Sequence, residues 1–341
     1  MESSRLSASR FDKALEKCCR NSSIVLQKSR EIIAKNTYLI HSDLYVNWVF
    51  DPAHPTQGRR FINAKKLLQD QLGTLNTPLT IVEPRLATKS ELSRVHSSEY
   101  INEVLENHVT GQWAGARPDL SELAALFAGG TLVALDSLLT GKAKTAIHFP
   151  GAKHHAQYDY SSGFCVFADF ALAADIATKD FSKKVAILDF DAHHGDGTEN
   201  LTAENSNVLS FSIHEKGIFP GTGNSSIPQK SVYNYPLGDQ GTEGEIGKGD
   251  EALLRGVLEF CRLADEFNAD LIFVAAGADG HLEDPLSSLE FSLKGYRAAS
   301  TLLRQRFVDI PFLVGGAGGY LPDSKTPEVW AHFSHQLTQH Q

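Results

Sequence analysis

A short apolar segment of this chain runs directly into a dense group of acidic and imidazole side chains. Residues 185–190 read as a buried strand, and Asp189, Asp191 and His193 occupy alternate positions at and beyond its end. Because side chains alternate along an extended chain, these three would project to one side if the extended conformation continues. Two carboxylates and one imidazole suit zinc or another divalent first-row ion and leave a position open for water. The spacing therefore predicts a metal site here.

A lone aspartate at a strand end more often caps the next helix or turn than binds a metal. Burying several polar groups without partners would be costly, so the density of this cluster favours a metal site over that structural explanation. The four cysteines of the chain form no CxxC pair, and a zinc site built from thiolates is therefore not expected.

Length and composition indicate a large globular protein. The 341 residues are 42% hydrophobic, which is enough for one large α/β core. A net charge of −9 without a long basic run argues against direct nucleic-acid binding and weakly favours cationic substrates. Cysteines without paired spacings are typical of reduced thiols. We therefore expect a cytoplasmic protein, or a nuclear one if the source is eukaryotic.

The N-terminal segment is distinct from the rest of the chain. Residues 1–35 carry Ser, Arg and Lys with scattered Leu and Ile, but their acidic residues are atypical of a transit peptide. Residues 11–34 are predicted to form an amphipathic helix. No stretch reaches the roughly 18 consecutive apolar residues that a membrane span needs, so no membrane association is expected. The predicted organisation is an N-terminal helical extension, residues 1–35, and a single domain, residues 36–341.

Apolar, β-rich runs alternate with helical patterns along this domain, which is typical of a doubly wound parallel sheet. The predicted strands are 37–40, 79–83, 145–149, 185–191, 208–214, 271–276 and 311–315. The predicted helices are 59–71, 98–107, 121–139, 167–178, 248–267, 293–306 and 327–337. The connection 217–249 is rich in Gly, Pro, Ser and Asn and is predicted to be a long functional loop without regular structure.

Five predicted strands are followed by reactive or glycine-rich segments. These segments are 150–156, 189–198, 214–223, 277–286 and 315–320. Sites in open α/β sheets form at the carboxyl ends of strands, so the five segments are expected to meet. Each alone has a simpler explanation: a His-His pair is more often surface polarity, and the glycine runs match neither a P-loop nor a dinucleotide fingerprint. Their joint occurrence favours one functional site.

Several motifs occur in a fixed order: His154-His155, Gly163-Phe164-Cys165, the block 189–197, Phe219-Pro220-Gly221-Thr222-Gly223, Gly277-Ala278-Asp279 with Asp284-Pro285-Leu286, and Gly318-Gly319-Tyr320. Together they resemble the zinc-dependent histone deacetylase superfamily, which includes acetylpolyamine amidohydrolases and acetoin-utilisation proteins. The resemblance extends from about His54 to Tyr320. It implies an arginase/deacetylase-like three-layer α/β fold with a central, mostly parallel, doubly wound sheet, and a deacetylase-like catalytic role for the domain 36–341.

The resemblance implies a metal centre and an oxyanion donor. Asp191, His193 and Asp279 would be the zinc ligands, and zinc in such a site polarises an amide carbonyl and activates a water molecule. The hydroxyl of Tyr320 would donate to the tetrahedral oxyanion.

The resemblance also assigns roles to the tandem histidines. His155 would be the general base that later protonates the leaving amine, and His154 would be its electrostatic partner. Asp196 is expected to orient His155, and Asp189 to orient His154.

Substrate-binding residues follow in the same way. The walls of a narrow apolar tunnel for an extended alkyl chain would be Gly163, Phe164, Phe219 and Leu286. Arg60 matches an arginine that lines an internal acetate-exit channel, although the neighbouring Arg59 is an alternative match. A structural potassium ion would be held by Asp189, the carbonyls of Asp191 and His193, Ser212 and Ile213.

The implied reaction is removal of an acetyl or longer acyl group from an amine. Ala168-Asp169 resembles a class IV branch of the family, whose preference includes longer acyl groups. The aspartate that clamps a peptide backbone at the tunnel rim of protein deacetylases has no clear equivalent, and Asp119 is only a candidate. Both acylated lysine in proteins and acetylated polyamines therefore stay open as substrates. The oligomeric state is not predicted.

Two other functions are weighed against a deacetylase. An arginase-like dinuclear ureohydrolase would need a second Asp-x-Asp cluster, whereas this chain has Asp279-Gly280-His281. A non-catalytic protein that binds acylated lysine or polyamine is disfavoured because every position implied for zinc, base and oxyanion carries the required residue.

Overall fold

The computed structural model describes residues 36–74, 78–238 and 247–339, and a single sheet of eight parallel strands forms its centre. The strands are β1 Thr37–Ile40, β2 Leu79–Val82, β3 Thr145–His148, β4 Val185–Asp189, β5 Val208–Glu215, β6 Val232–Leu237, β7 Leu271–Ala275 and β8 Phe312–Gly315. Their order across the sheet is β2-β1-β3-β8-β7-β4-β5-β6. The sheet expected to be mostly parallel is parallel at every strand pairing described.

Helices cover the sheet and complete a three-layer α/β fold. They are α1 Arg59–Gly73, α2 Lys89–Leu92, α3 Ser98–Leu105, α4 Pro118–Leu139, α5 Asp169–Lys179, α6 Asp196–Thr202, α7 Asp250–Phe267, α8 Leu293–Arg306 and α9 Lys325–Thr338. Helices α1, α9, α8 and α7 pack on one another in that order, whereas α3, α4, α5 and α6 form a second packed group. This arrangement confirms the predicted fold class.

The central strands are apolar on both faces because helices cover both. Every residue of β4 and of β7 is buried, and the two strands pair with Asp189 opposite Ala275. Consecutive strands β3 and β4 are separated in the sheet by β8 and β7. Since all strands point the same way, the segments that follow β3, β4, β7 and β8 meet at one edge, where ligand sites form in open α/β sheets.

Most predicted elements differ from the observed ones by one to three residues at an end, and two differences bear on the site. The connection 217–249 is not structureless, because it contains β6, a half-exposed edge strand that pairs with β5. The sequence of β6 is largely polar and contains Pro236, so it shows no apolar periodicity that would predict a strand. Sheets tolerate proline in edge strands, and β6 is an edge strand. The strand predicted over 185–191 ends at Asp189.

The predicted helix at residues 11–34 and the predicted extension 1–35 lie outside the described residues, so the boundary at residue 36 stays a prediction.

Helix α4 is the one described helix that is long and apolar enough to cross a membrane. It has 22 residues and a mean hydropathy of 1.5, so the sequence does contain a segment that approaches a membrane span. In the fold, 78% of that segment is buried. The apolarity of α4 is therefore that of a core helix, and its start is marked by Pro118 and Asp119 in the first turn.

Trp330 joins helix α9 to the functional edge of the sheet. Its Nε1 donates to the carbonyl oxygens of Ala276 at 3.0 Å and Gly316 at 2.8 Å, directly beyond β7 and β8. Its ring stacks on Phe61 and Phe149.

We expect Trp330→Phe to lower the free energy of unfolding by about 1–3 kcal/mol more than Trp48→Phe does. Trp48 is the matched control because it is also buried, yet its Nε1 has no hydrogen-bond partner among the described residues. Urea unfolding followed by circular dichroism measures both variants. Equal losses would show that the two hydrogen bonds of Trp330 contribute nothing.

Candidate active site

Among the described residues, three buried side chains form a cluster suited to hold a metal ion, called the metal cluster below. Ligand atoms of Asp191, His193 and Asp279 all lie within 4.8 Å of one another. Nδ1 of His193 is 3.1 Å from Oδ1 of Asp191 and 2.9 Å from Oδ2 of Asp279. Asp191 and Asp279 are 0% exposed. Two carboxylate oxygens and one imidazole nitrogen thus converge on one point, as a three-ligand site with open positions requires.

The loops beyond β4, β7 and β8 hold this cluster through backbone contacts. The Gly318 N–H donates to Oδ2 of Asp191 at 2.6 Å, and the Ala192 N–H donates to Oδ1 of Asp279 at 3.0 Å. A Cβ on Gly318 would lie 2.4 Å from Oδ2 of Asp279 and 2.5 Å from Oδ2 of Asp191. Glycine is therefore required here, because any side chain would fill the space around the carboxylates.

The charges of the cluster call for a cation. Burial raises the pKa of Asp279 to about 7, and the adjacent Asp191 carboxylate adds to that rise. Burial lowers the pKa of His193, but its hydrogen bonds with Asp191 and Asp279 outweigh burial and raise it to about 11. Two buried carboxylates side by side are unfavourable without a positive charge between them. The donor set and its charge therefore fit a divalent metal ion.

Asp189 lies outside this cluster, so the expectation that Asp189, Asp191 and His193 project together is wrong. The strand ends at Asp189, and the alternation of side chains ends with it. Oδ2 of Asp189 is 2.7 Å from Nδ1 of His154 instead. His194, the residue after His193, also points away from the metal cluster. Its Nδ1 is 2.8 Å from Oγ1 of Thr222, and its Nε2 is 3.0 Å from Oε2 of Glu199.

The tandem histidines beyond β3 each rest on a different carboxylate. Nδ1 of His155 is 2.7 Å from Oδ1 of Asp196, which matches the 2.7 Å contact between His154 and Asp189. The two imidazole rings lie 4.0 Å apart, and the ring of His155 is 6.1 Å from that of His193. The predicted pairs of histidine and aspartate are therefore present beside the metal cluster.

The surroundings of His154 and His155 shift their pKa values in opposite directions. Burial lowers the pKa of His154, but the charges of Asp189 and Asp191 reverse this and raise it to about 9. Burial and the neighbouring charge of His154 lower the pKa of His155 to about 4. His155 is thus the neutral member of the pair at pH 7, with its Nδ1 engaged and its Nε2 left for a substrate or water.

Aromatic side chains surround the cluster. The ring of Tyr320 stands edge-on to His193 at 6.4 Å, and Phe164 lies 6.1 Å from Tyr320. Phe219 packs edge-on against His155 at 5.0 Å and is 50% exposed, and Leu286 is 40% exposed. Burial raises the pKa of Tyr320 well above its usual value, which keeps its hydroxyl protonated as a donor. Phe219 and Tyr320 therefore border the cluster through His193. Phe164 borders Tyr320, and the backbone of Leu286 shares the Asp284 carboxylate with that of Tyr320.

Gly163 lies directly against the ring of His155. Its φ is +51°, and a Cβ there would lie 2.2 Å from Cδ2 of His155. Both the backbone conformation and the lack of space exclude a side chain.

The structure distinguishes the two candidate arginines. Arg60 is 2% exposed, and its Nη1 donates to the carbonyl of Gly319 at 2.7 Å. Arg59 is partly exposed and forms an ion pair with Asp323. Of the two arginines, Arg60 is therefore the one that is buried beside the loop carrying Tyr320.

The residues expected to bind potassium adjoin one another. Ser212 pairs with Asp189 across β5 and β4, and Oγ of Ser212 lies 3.0 Å from Nδ1 of His214. Ile213 is the next residue of β5 and is buried. A small cavity bordered by Asp189 and Ser212 lies here.

The sequence analysis did not predict a second set of residues, which form hydrogen bonds to the site residues and to the loops that carry them. Gln157 donates to Oδ2 of Asp196, and Asp284 accepts hydrogen bonds from the Tyr320 and Leu286 N–H groups. Gln112 accepts from the Phe164 N–H, and Asp169 accepts from the N–H groups of Ala152 and Lys153. Most of these contacts join a side chain to a distant backbone group, and such pairing leaves no pattern in a single sequence.

Comparison with known proteins identifies the family. The histone deacetylase domain matches residues 54–337. The acetoin utilization protein AcuC of Bacillus subtilis is 33% identical over 330 residues, covering 87% of this chain and 81% of that protein. A probable deacetylase of Archaeoglobus fulgidus is 26% identical and covers 85% of this chain and 83% of its own length. The crystal structure of the HDA15 HD domain superposes with a TM-score of 0.74, at 25% identity and 89% coverage of both chains.

The chain therefore belongs to the histone deacetylase family, as its motifs indicate. Its class of activity is that of a deacetylase hydrolase, and its buried Asp-His-Asp cluster fits a metal site.

We expect Gly163→Ala to lower kcat/KM for deacetylation by about 100-fold, because the new methyl group displaces His155. Gly115→Ala is the matched control, since Gly115 also has a positive φ of +68° but no atom within 4 Å of its Cβ position. Steady-state kinetics on an acetylated amine, with circular dichroism to verify folding, measures both. Equal effects of the two substitutions would attribute the loss to backbone strain alone.

Proposed function

We propose that this protein is a zinc-dependent amidohydrolase that removes an acetyl or longer acyl group from an amine on a slender aliphatic chain. One observation carries the proposal: the metal cluster, a neutral histidine on its own aspartate and a buried tyrosine adjoin one another. Asp191, His193 and Asp279 would hold the zinc, which when bound polarises the amide carbonyl and acidifies water.

His155 is the general base in this proposal. Asp196 fixes its Nδ1 as the protonated nitrogen, so the basic Nε2 is free to take the proton of the attacking water. The same nitrogen then returns the proton to the departing amine, which leaves as a neutral group. His154, whose pKa is raised by Asp189 and Asp191 against the effect of burial, adds positive charge beside the base.

Tyr320 is the oxyanion donor. Its backbone N–H is held by Asp284 at 2.8 Å, and its ring borders His193. A phenol kept protonated by burial donates to the oxygen that becomes negative when water adds to the amide.

The substrate is an extended aliphatic amide in this proposal. Phe219 packs against His155 and His193, and Phe164 packs against Tyr320; apolar aromatic walls of this kind would favour a linear alkyl chain. Acylated lysine in proteins and acetylated polyamines both present such a chain. The net charge of −9 favours the approach of cationic polyamines. Asp119 is engaged by Arg117 rather than free at a rim, which also favours the small substrate.

The alternatives of a second metal or of binding without turnover find less support. His281 accepts a hydrogen bond from the Glu283 N–H and stays apart from the cluster, so the described residues offer one metal site rather than two. A non-catalytic binder would not require the base and its aspartate to be preserved. A structural potassium ion would be held by Asp189, the carbonyls of Asp191 and His193, Ser212 and Ile213.

We expect Asp279→Asn to weaken zinc binding by more than about 100-fold, beyond the usual 10–100-fold cost of losing an outer partner of a ligand. Asp284→Asn is the matched control, because Asp284 is buried and near the site but outside the cluster. Elemental analysis and competition with a chelator measure zinc in both variants. Retention of stoichiometric, tightly held zinc by the Asp279 variant would contradict the assignment.

We expect His155→Ala to lower turnover by about 10²–10⁴-fold and Tyr320→Phe by about 10²–10³-fold, with zinc still bound in both. The matched control is Tyr296→Phe, since the buried Tyr296 hydroxyl has no hydrogen-bond partner among the described residues. Kinetics on acetyl-lysine peptides, longer acyl-lysine peptides and acetylputrescine measure the losses and identify the preferred substrate. Near wild-type turnover by both variants would overturn the mechanism.

A further inference from the structure

Asp169 is a buried carboxylate that contacts the loop carrying the tandem histidines. It is 0% exposed and is the first residue of α5. Its Oδ1 accepts from the N–H of Lys153 at 2.7 Å, and its Oδ2 accepts from the N–H of Ala152 at 3.0 Å. These two residues directly precede the tandem histidines in the segment 150–157, called the histidine loop below. The mechanism proposed above does not use Asp169.

The turn that Asp169 contacts has an unusual backbone conformation. The φ of Ala152 is +65°, in the left-handed region that residues with a side chain rarely adopt. A Cβ on the neighbouring Gly151 would lie 3.0 Å from Oδ2 of Asp169, so the carboxylate approaches the turn closely. A left-handed alanine persists only where the surrounding contacts hold it, and the hydrogen bond from Ala152 to Asp169 is such a contact.

A row of buried hydrogen bonds leads to the same carboxylate. The Thr131 hydroxyl donates to Oδ2 of Asp169 at 2.5 Å and lies 2.9 Å from Nδ1 of His148. Nε2 of His148 lies 2.9 Å from the hydroxyl of Tyr45. Burial lowers the pKa of His148 to about 3, so its ring is neutral and offers one donor and one acceptor. Because the Thr131 hydroxyl gives its hydrogen to Asp169, it accepts from His148, which in turn accepts from Tyr45.

The partners of Asp169 distinguish a role in the loop from a role in its own helix. An acidic residue in the first turn of a helix commonly stabilises that helix through its dipole. The side chain of Asp169 instead accepts from Thr131 on α4 and from two N–H groups of the histidine loop. Burial raises the pKa of Asp169, and these three hydrogen bonds oppose that rise. The carboxylate therefore holds the loop, whatever it contributes to the helix.

The residue before Asp169 holds the other end of the histidine loop. The Ala168 N–H donates to Nε2 of His96 at 2.9 Å. Burial lowers the pKa of His96 to about 4, so its ring is neutral, and its Nδ1–H donates to the Gln157 carbonyl at 2.8 Å. Both ends of the histidine loop are thus tied to the start of α5.

We infer that Asp169 is a positioning residue for the tandem histidines. It holds Ala152 in the left-handed conformation and thereby fixes the place from which His155 reaches the substrate. The three hydrogen-bonded side chains behind the carboxylate keep it in place from the other side. This inference rests on the proposed function, in which His155 is the general base.

The experiment compares wild type with Asp169→Asn, Ala152→Gly, the two substitutions combined, and the control Asp175→Asn. Asn keeps the size of the side chain, but one acceptor oxygen becomes an N–H donor, so the two backbone N–H groups no longer each have an oxygen. Asp175 is a matched control because it is also a buried carboxylate on α5, bonded to Arg94 and Lys179 rather than to the histidine loop. Steady-state kinetics give kcat and KM, and zinc content and urea unfolding are measured for every variant.

We expect Asp169→Asn to lower kcat by about tenfold or more with little change in KM, because the base is displaced while the apolar walls are not. Asp175→Asn leaves kcat unchanged even where it lowers stability. Glycine adopts a left-handed φ without steric cost, so adding Ala152→Gly to Asp169→Asn recovers kcat by about threefold or more.

An unchanged kcat in Asp169→Asn, or no recovery in the combined variant, overturns the inference. If Asp169→Asn does not fold, Thr131→Val takes its place, since it removes one hydrogen bond of the same carboxylate and keeps the side-chain volume. The same two outcomes then decide.

An NMR measurement separates this inference from the proposed function. The Nδ1–H protons of His154 and His155 lie in short hydrogen bonds to carboxylates and give signals far downfield of the other protons. We expect these signals to shift or broaden in Asp169→Asn and to stay in place in Asp175→Asn, even if no acylated amine is hydrolysed. Unchanged signals in Asp169→Asn contradict the inference even if deacetylation is fast.

Discussion

The structure depends on the confinement of two buried carboxylates around one imidazole nitrogen at the carboxyl edge of a parallel sheet. Asp191 and Asp279 are fully buried and both approach Nδ1 of His193. Such a group is stable only if a cation balances its charge, and the backbone must come close enough to share the carboxylate oxygens. This close approach of the backbone explains the glycine at position 318: Gly318 donates its N–H to Asp191 at a point where a side chain would not fit.

The same edge of the sheet makes two adjacent histidines chemically different. His154 is paired with Asp189 at the end of β4 and lies near Asp191, so its pKa rises despite burial. Burial and the neighbouring charge of His154 lower the pKa of His155, and its pairing with Asp196 offsets only part of that fall. Two adjacent residues of the same type thus differ in charge: the pKa of His154 is raised and that of His155 is lowered. The difference arises from the surroundings of each ring: Asp189 ends strand β4 whereas Asp196 begins helix α6, and His154 also lies near Asp191.

Much of this could be predicted from the chain because the buried strands are apolar and the chemistry is concentrated where they end. The alternation of apolar runs with helical patterns predicted seven strands and the parallel sheet. Strand β6 was not predicted, because it lies at an edge, contains a proline and has no apolar run. The local spacing around Asp189 was misleading, since side-chain alternation holds only while the strand lasts. Asp279 could be joined to Asp191 and His193 only through resemblance to a family, because the residues lie far apart in sequence. The supporting contacts of Gln157 and Asp284 depend on the folded backbone and could not be predicted at all.

The most direct test of the central claim is anomalous X-ray diffraction from crystals of the purified protein, recorded on both sides of the zinc absorption edge. We expect one peak that disappears below the edge, about 2.0–2.2 Å from Nδ1 of His193 and from one oxygen each of Asp191 and Asp279. Absence of a peak at these residues would contradict the metal site. Two peaks about 3.5–4 Å apart would instead indicate a dinuclear centre and contradict the single-metal mechanism.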